Sequence, residues 1–199
     1  MVHLLEEYAK ENNIPIMQKD GIEFLTDFIK KNNIKNILEI GTAIGYSAIM
    51  MCLVDESITV TTIERDEERY SIAIENIKKF NLENRINAIC ADALDVEVNG
   101  KYDLIFIDAA KAQSIKFFNK FEVLLNENGY IITDNLDFHG LVNTDEKISR
   151  NLRQLVRKIN NYIDFLKQNN DYDTTFYEVG DGISISRKRW AYEYNSKTG

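Results

Sequence analysis

The chain has 199 residues, 44% of them hydrophobic, and a net charge of −8. That length fits one domain with a sizeable core, and the acidic balance argues against nucleic-acid binding over the whole surface while leaving room for a local basic patch. No apolar run approaches the roughly 20 residues of a membrane helix, the first thirteen residues are polar and acidic, unlike a secretory leader, and Cys52 and Cys90 are expected as buried free thiols in a reducing cytoplasm.

The single proline, Pro15, separates an amphipathic N-terminal segment from a helix over 21–31, in which Ile22, Leu25, Phe28 and Ile29 form an apolar stripe. Strands and helices then alternate. Strands are expected at 36–40, 58–64, 86–90, 103–108 and 130–133, and helices at 44–54, 67–80, 112–125 and 147–168. Within helix 67–80, Tyr70, Ile74 and Ile77 share one side. The run between Asp103 and Asp108 is apolar, as at the buried centre of a parallel sheet. Segments 174–179 and 183–186 close as an antiparallel hairpin around Gly180-Asp181-Gly182. This alternation predicts a doubly wound α/β sheet, whose ligands lie outside the carboxyl ends of the strands.

The motifs fall at those ends. After the first strand comes Glu39-Ile40-Gly41-Thr42-Ala43-Ile44-Gly45-Tyr46-Ser47. Gly41 lets backbone approach a ligand closely, and Gly45 frees the next helix N-terminus to face it. The pattern is neither G-x-G-x-x-G nor a phosphate-binding loop with Lys-Ser/Thr. The second strand ends in Ile63-Glu64-Arg65, an acid placed to accept hydrogen bonds from ribose hydroxyls. Ala91-Asp92-Ala93 follows the third strand and is a weaker candidate lining for a base. The fourth strand ends in Asp108-Ala109-Ala110-Lys111 and the fifth in Asp134-Asn135. If these strands are neighbours, Asp108, Asp134 and Asn135 offer two carboxylates and an amide oxygen, a set that suits Mg²⁺ or Ca²⁺. No Cys/His set has zinc spacing. Lys111 points toward the same mouth and is the candidate base for an acceptor hydroxyl. His139 reads as a loop or lid residue.

Taken together, these motifs resemble the cation-dependent O-methyltransferases, the family of catechol and caffeoyl-CoA O-methyltransferases, over about residues 17–187. The segments Ile14-Pro15-Ile16-Met17-Gln18, Thr42 to Ser47 and Phe106 to Lys111 are similar to a bacterial branch of that family that includes methylation of 5-hydroxyuridine at the tRNA wobble position among its activities. The resemblance implies a Rossmann-like class I methyltransferase fold, with a mostly parallel seven-stranded sheet and a C-terminal antiparallel hairpin. It implies one methyltransferase domain over 1–187, with N-terminal helices in 1–33 and a tail from 188 to 199. S-adenosylmethionine would meet Met17, Glu39, Gly41, Ser47, Glu64, Asp92, Ala93 and Asp108. Mg²⁺ would sit on Asp108, Asp134 and Asn135, with Lys111 as base. Leu94 departs from the glutamine of catechol-type enzymes. The family commonly dimerises, so a homodimer is expected. The acceptor would be a tRNA anticodon loop or a catechol-like small molecule. A tRNA needs phosphate contacts, for which Lys147, Arg150, Arg153, Arg157 and Lys158 on one helix, or Arg187-Lys188-Arg189, are the candidates.

Overall fold

The computed structural model describes residues 1–109, 111–136 and 150–189. His139, Gly140, Lys147 and the tail from 190 lie outside them. Two helices open the chain, α1 (Val2–Glu11) and α2 (Lys19–Lys31), and five parallel strands follow: β1 (Asn36–Ile40), β2 (Thr59–Glu64), β3 (Ile86–Cys90), β4 (Tyr102–Ile107) and β5 (Leu125–Thr133). Between them run α3 (Tyr46–Leu53), α4 (Glu67–Lys79) and α5 (Ser114–Phe121); then come α6 (Arg150–Gln168), β6 (Tyr172–Tyr177) and β7 (Ile183–Lys188). The order across the sheet is β3-β2-β1-β4-β5-β7-β6, with β7 antiparallel to both its neighbours. The chain therefore winds outward from β1 to β3 and returns to place β4 on the other side of β1. That reversal opens a crevice between the ends of β1 and β4.

Alternating side chains fill two cores. Ile37, Val60, Leu104, Phe106 and Ile132 pack under α1 to α4, and Leu38, Ile40, Ile63, Ile105, Ile107 and Ile131 pack under α5 and α6. In α2, Ile22, Leu25 and Ile29 are buried as the stripe requires. Asp66 caps α4 by accepting from Arg69 N at 3.0 Å, with Glu67 and Glu68 in the first turn and Lys78 and Lys79 in the last, all favourable to the helix dipole. Phe118 of α5 meets Phe165 and Tyr172 edge-on at 5.3 and 5.0 Å. The Tyr162 hydroxyl of α6 shares a 2.8 Å hydrogen bond with Thr133, which fixes α6 beside the end of β5. Among the described residues no helix is long and apolar enough to cross a membrane.

The structure departs from the expected elements in particular places. Strand β5 begins at Leu125, and the helix expected at 112–125 breaks into α5 flanked by 3-10 turns at Lys111–Gln113 and Glu122–Leu124. The first half of β5 is polar, with a positive φ at Asn128 and an irregular register against β4, so no two-residue alternation announced it. In the hairpin, β6 keeps its expected length but starts two residues earlier, and β7 runs two residues longer. Ile77 is buried as expected, but Ile74 points to solvent, and α4 buries Ala73 and Asn76 beside Ile77. Asn76 earns its burial by donating to Ile44 O at 3.0 Å. Cys52 is buried as expected, but Cys90 is exposed. It ends β3, an edge strand covered on one side only.

Candidate active site

The crevice at the carboxyl ends of the parallel strands is a cavity of about 650 Å³, in the middle of the range for small-molecule sites. Its floor is the loop from β1 to α3. Gly41 has φ +106°, and a Cβ there would stand 2.0 Å from the carbonyl oxygen of Asp108. Asp108 N in turn donates to Ile40 O at 2.9 Å. Only glycine lets the ends of β1 and β4 close this tightly.

Met17, Gly41, Ser47, Glu64, Asp92, Ala93, Asp108, Lys111, Asp134 and Asn135, all expected in the site, line this one cavity. Glu39 does not. It is fully buried beneath the loop, where it accepts from Ser47 Oγ and from Thr62 Oγ1, while Thr62 and Thr42 share a 2.5 Å hydrogen bond. Burial, first, and the charges of Asp108 and Glu64 push its carboxyl up to about 7, against the two hydroxyl hydrogen bonds. Glu39 therefore acts on the cavity through Ser47 and Thr42 rather than by contact.

Glu64 ties the loop to β2. Its carboxylate accepts from Ala43 N at 2.9 Å and Asp66 N at 3.0 Å, so it faces the cavity instead of capping α4. Asp92 accepts from Leu94 N at 2.9 Å and orders the turn after β3.

Across the crevice, the ends of β4 and β5 bring the oxygen-bearing side chains together. Asn135 Nδ2 donates to Asp108 Oδ1 at 2.9 Å and to Asp134 Oδ2 at 3.0 Å. Lys111 Nζ lies 3.5 Å from Asp108 Oδ1 and donates to Asp134 O at 3.1 Å. Asp134 is 2% exposed, and its Oδ1 is buried without a hydrogen-bond partner among the described residues. Burial, then the neighbouring Asp108 carboxylate, holds its pKa well above the ordinary carboxylate range. A buried acceptor oxygen left unpaired beside a second carboxylate costs free energy unless a cation or donor arrives. The set fits a hard divalent cation once the Asn135 amide turns over, so that its oxygen takes the place of the Nδ2 that here donates to both carboxylates. Among the described residues no three of His, Cys, Asp and Glu gather for a metal, so the candidate depends on that amide.

Several cavity residues were not legible in the sequence. Asp181, expected only as a turn residue, lines the cavity and accepts from Gln18 Nε2 at 2.6 Å. Gly180 and Gly21 let the β6–β7 turn and the start of α2 approach closely, since a Cβ on Gly180 would lie 3.4 Å from Gly21 Cα. On α6 the cavity is lined by Asn151, Gln154, Leu155 and Lys158, all but Leu155 also exposed to solvent, while Arg150, Arg153 and Arg157 are exposed and do not line it. The run Arg187-Lys188-Arg189 lies elsewhere. Because β7 is antiparallel to β5, with Tyr130 opposite Arg187 and Thr133 opposite Ser184, its last residues sit at the amino ends of the parallel strands. There Arg187 donates to Asn128 and Arg189 pairs with Asp173.

The sheet order, the glycine loop and the acid at the end of β2 define a Rossmann-like fold of the class I methyltransferase type. The chain belongs to the O-methyltransferase family, whose model matches residues 1–189. It is 30% identical to a caffeoyl-CoA O-methyltransferase of Medicago sativa, over 94% of this chain and 81% of that protein. It is also 30% identical to tapetum-specific methyltransferase 1 of Arabidopsis thaliana, over 89% and 78%. A crystal structure from Staphylococcus aureus, described provisionally as a caffeoyl-CoA O-methyltransferase, superposes with a TM-score of 0.90 at 41% identity, covering 94% of this chain and 92% of that one. A Bacillus cereus O-methyltransferase solved with S-adenosylhomocysteine shares the fold, with a TM-score of 0.80 at 24% identity over 94% and 90%.

Proposed function

We propose that the protein transfers a methyl group from S-adenosylmethionine to a hydroxyl oxygen, assisted by a divalent cation, and that the acceptor is 5-hydroxyuridine at the tRNA wobble position. The observation that carries this reading is the meeting of Asp108, Asp134 and Asn135 beside Lys111, at the edge of the loop that would cradle the donor. Solved methyltransferases of this fold that hold S-adenosylmethionine or its product support the choice of donor.

Asp108, Asp134 and Asn135 would hold the cation. When bound, it would supply positive charge to grip two neighbouring acceptor oxygens and make the hydroxyl more acidic. The chain's own residues do the rest. Glu64 accepts from the donor's ribose hydroxyls, and Ser47, held by Glu39, borders the donor's amino-acid end. Lys111 lies within reach of the acceptor hydroxyl and takes its proton. The acceptor oxygen forms the new O–C bond as the C–S bond breaks, in line. Positioning supplies most of the rate.

In 5-hydroxyuracil the 5-hydroxyl and the 4-carbonyl oxygen are vicinal, as the two oxygens of a catechol are. What favours RNA is the exposed Arg150, Arg153 and Arg157 face beside the mouth. The decisive experiment is mass spectrometry of tRNA nucleosides from cells with and without the protein. Loss of 5-methoxyuridine with accumulation of 5-hydroxyuridine is expected; an unchanged level overturns the tRNA assignment. A second reading, a catechol-like small-molecule acceptor, is favoured by the caffeoyl-CoA O-methyltransferases among the relatives. Methylation of a catechol but not of tRNA would establish it. Full turnover in excess chelator would remove the cation from either.

A further inference from the structure

We propose that one stripe of α6 selects the methyl acceptor: Asn151 and Gln154 read the hydrogen-bonding edge of its ring, and Lys158 anchors a phosphate attached to it. This inference rests on the reading of the cavity as a methyl-transfer site.

At 100° per residue, Asn151, Gln154, Leu155 and Lys158 fall on one side of α6, and that side lines the cavity. Ile159, Tyr162 and Leu166 form the buried stripe to one side of it. Arg150, Arg153 and Arg157 lie to the other side, about a third of a turn away, exposed and outside the cavity lining. The helix packs against the Lys111–Gln113 turn, so its polar wall adjoins the place where the acceptor hydroxyl must lie.

Among the described residues, the Asn151, Gln154 and Lys158 side chains have no hydrogen-bond or ion-pair partner. Amides facing a cavity present a donor and an acceptor each, which suits a ring edge alternating carbonyl and N–H and offers little to a bare phenol. Lys158 differs from Lys111, which is already engaged with Asp108 and with the Asp134 carbonyl. It stands one helical turn beyond Gln154, about 6 Å along the axis, on the scale that separates a pyrimidine from its own 5′-phosphate. A chain continuing from that phosphate would leave the cavity over the arginine stripe.

The test is calorimetric binding of 5-hydroxyuridine and its 5′-monophosphate to protein saturated with S-adenosylhomocysteine and Mg²⁺. The monophosphate is expected to bind about tenfold tighter, the worth of one charge-assisted hydrogen bond. Lys158→Gln should erase that gap and Lys158→Arg should keep it. Gln154→Ala and Asn151→Ala should weaken both uracil ligands and leave catechol unaffected. Unchanged affinity for S-adenosylhomocysteine reports an intact fold in each variant. Equal binding of the two ligands to the parent, no binding of either, or a gap that survives Lys158→Gln overturns the proposal. If the gap behaves as expected but no methyl reaches either ligand, the methyl-transfer reading falls and the recognition stripe stands; methylation without the gap gives the converse.

Discussion

Glu39 and Asp134 are the two acids buried around the cavity with raised pKa values, and they have different consequences. The folded chain keeps the Glu39 proton up to about pH 7, whereas an unfolded glutamate releases it near 4.5. Unfolding therefore releases a proton between those values, and stability falls as pH rises through that window. Glu39→Gln keeps the hydrogen bonds to Ser47 and Thr62 without the titration. Its stability advantage over the parent should be absent below pH 4.5 and reach about 3 kcal/mol above pH 7. Denaturant melts of both proteins at pH 4 and pH 8 measure it, and a gap that does not widen with pH removes the argument. Asp134 is held for a different reason. Asp134→Asn removes a buried charge beside Asp108, so the cation-free variant should melt higher than the parent while methyl transfer falls by at least a hundredfold. Binding of S-adenosylhomocysteine should survive, because the donor half of the cavity does not depend on Asp134. Lower melting together with retained turnover would contradict both parts.

At the scale of elements, the strand–loop–helix order was legible because buried parallel strands are short apolar runs and helices repeat their apolar residues every three or four positions. The site residues at strand ends were legible for the same reason, since topology puts the ends of β1, β2, β4 and β5 on one side. What escaped depends on contacts distant in sequence. No local signal marks Asn151 and Gln154, rather than Arg150 and Arg153, as the cavity side of α6; the orientation is set by Tyr162 meeting Thr133 and by the burial of Ile159 and Leu166. Tyr162→Phe should accordingly cost about 1 kcal/mol and loosen acceptor binding more than donor binding, read as a larger rise in acceptor KM. Replacing Arg150, Arg153 and Arg157 together by alanine should weaken tRNA binding and flatten its dependence on salt without touching turnover of a free nucleoside. A tRNA affinity unmoved by that triple change would exclude this face as the RNA contact.

The whole molecule draws its cavity from almost the full described length, from Pro15 before α2 to Asp181 between β6 and β7. The Gln18–Asp181 hydrogen bond and the Gly21–Gly180 approach join the two extremes. Glu64 and Asp92 come early in the chain, yet the mouth of the cavity is complete only when the antiparallel hairpin docks against the start of α2. A chain ending before β6 would therefore carry the glycine loop and its neighbouring acids without the wall that Asp181 supplies.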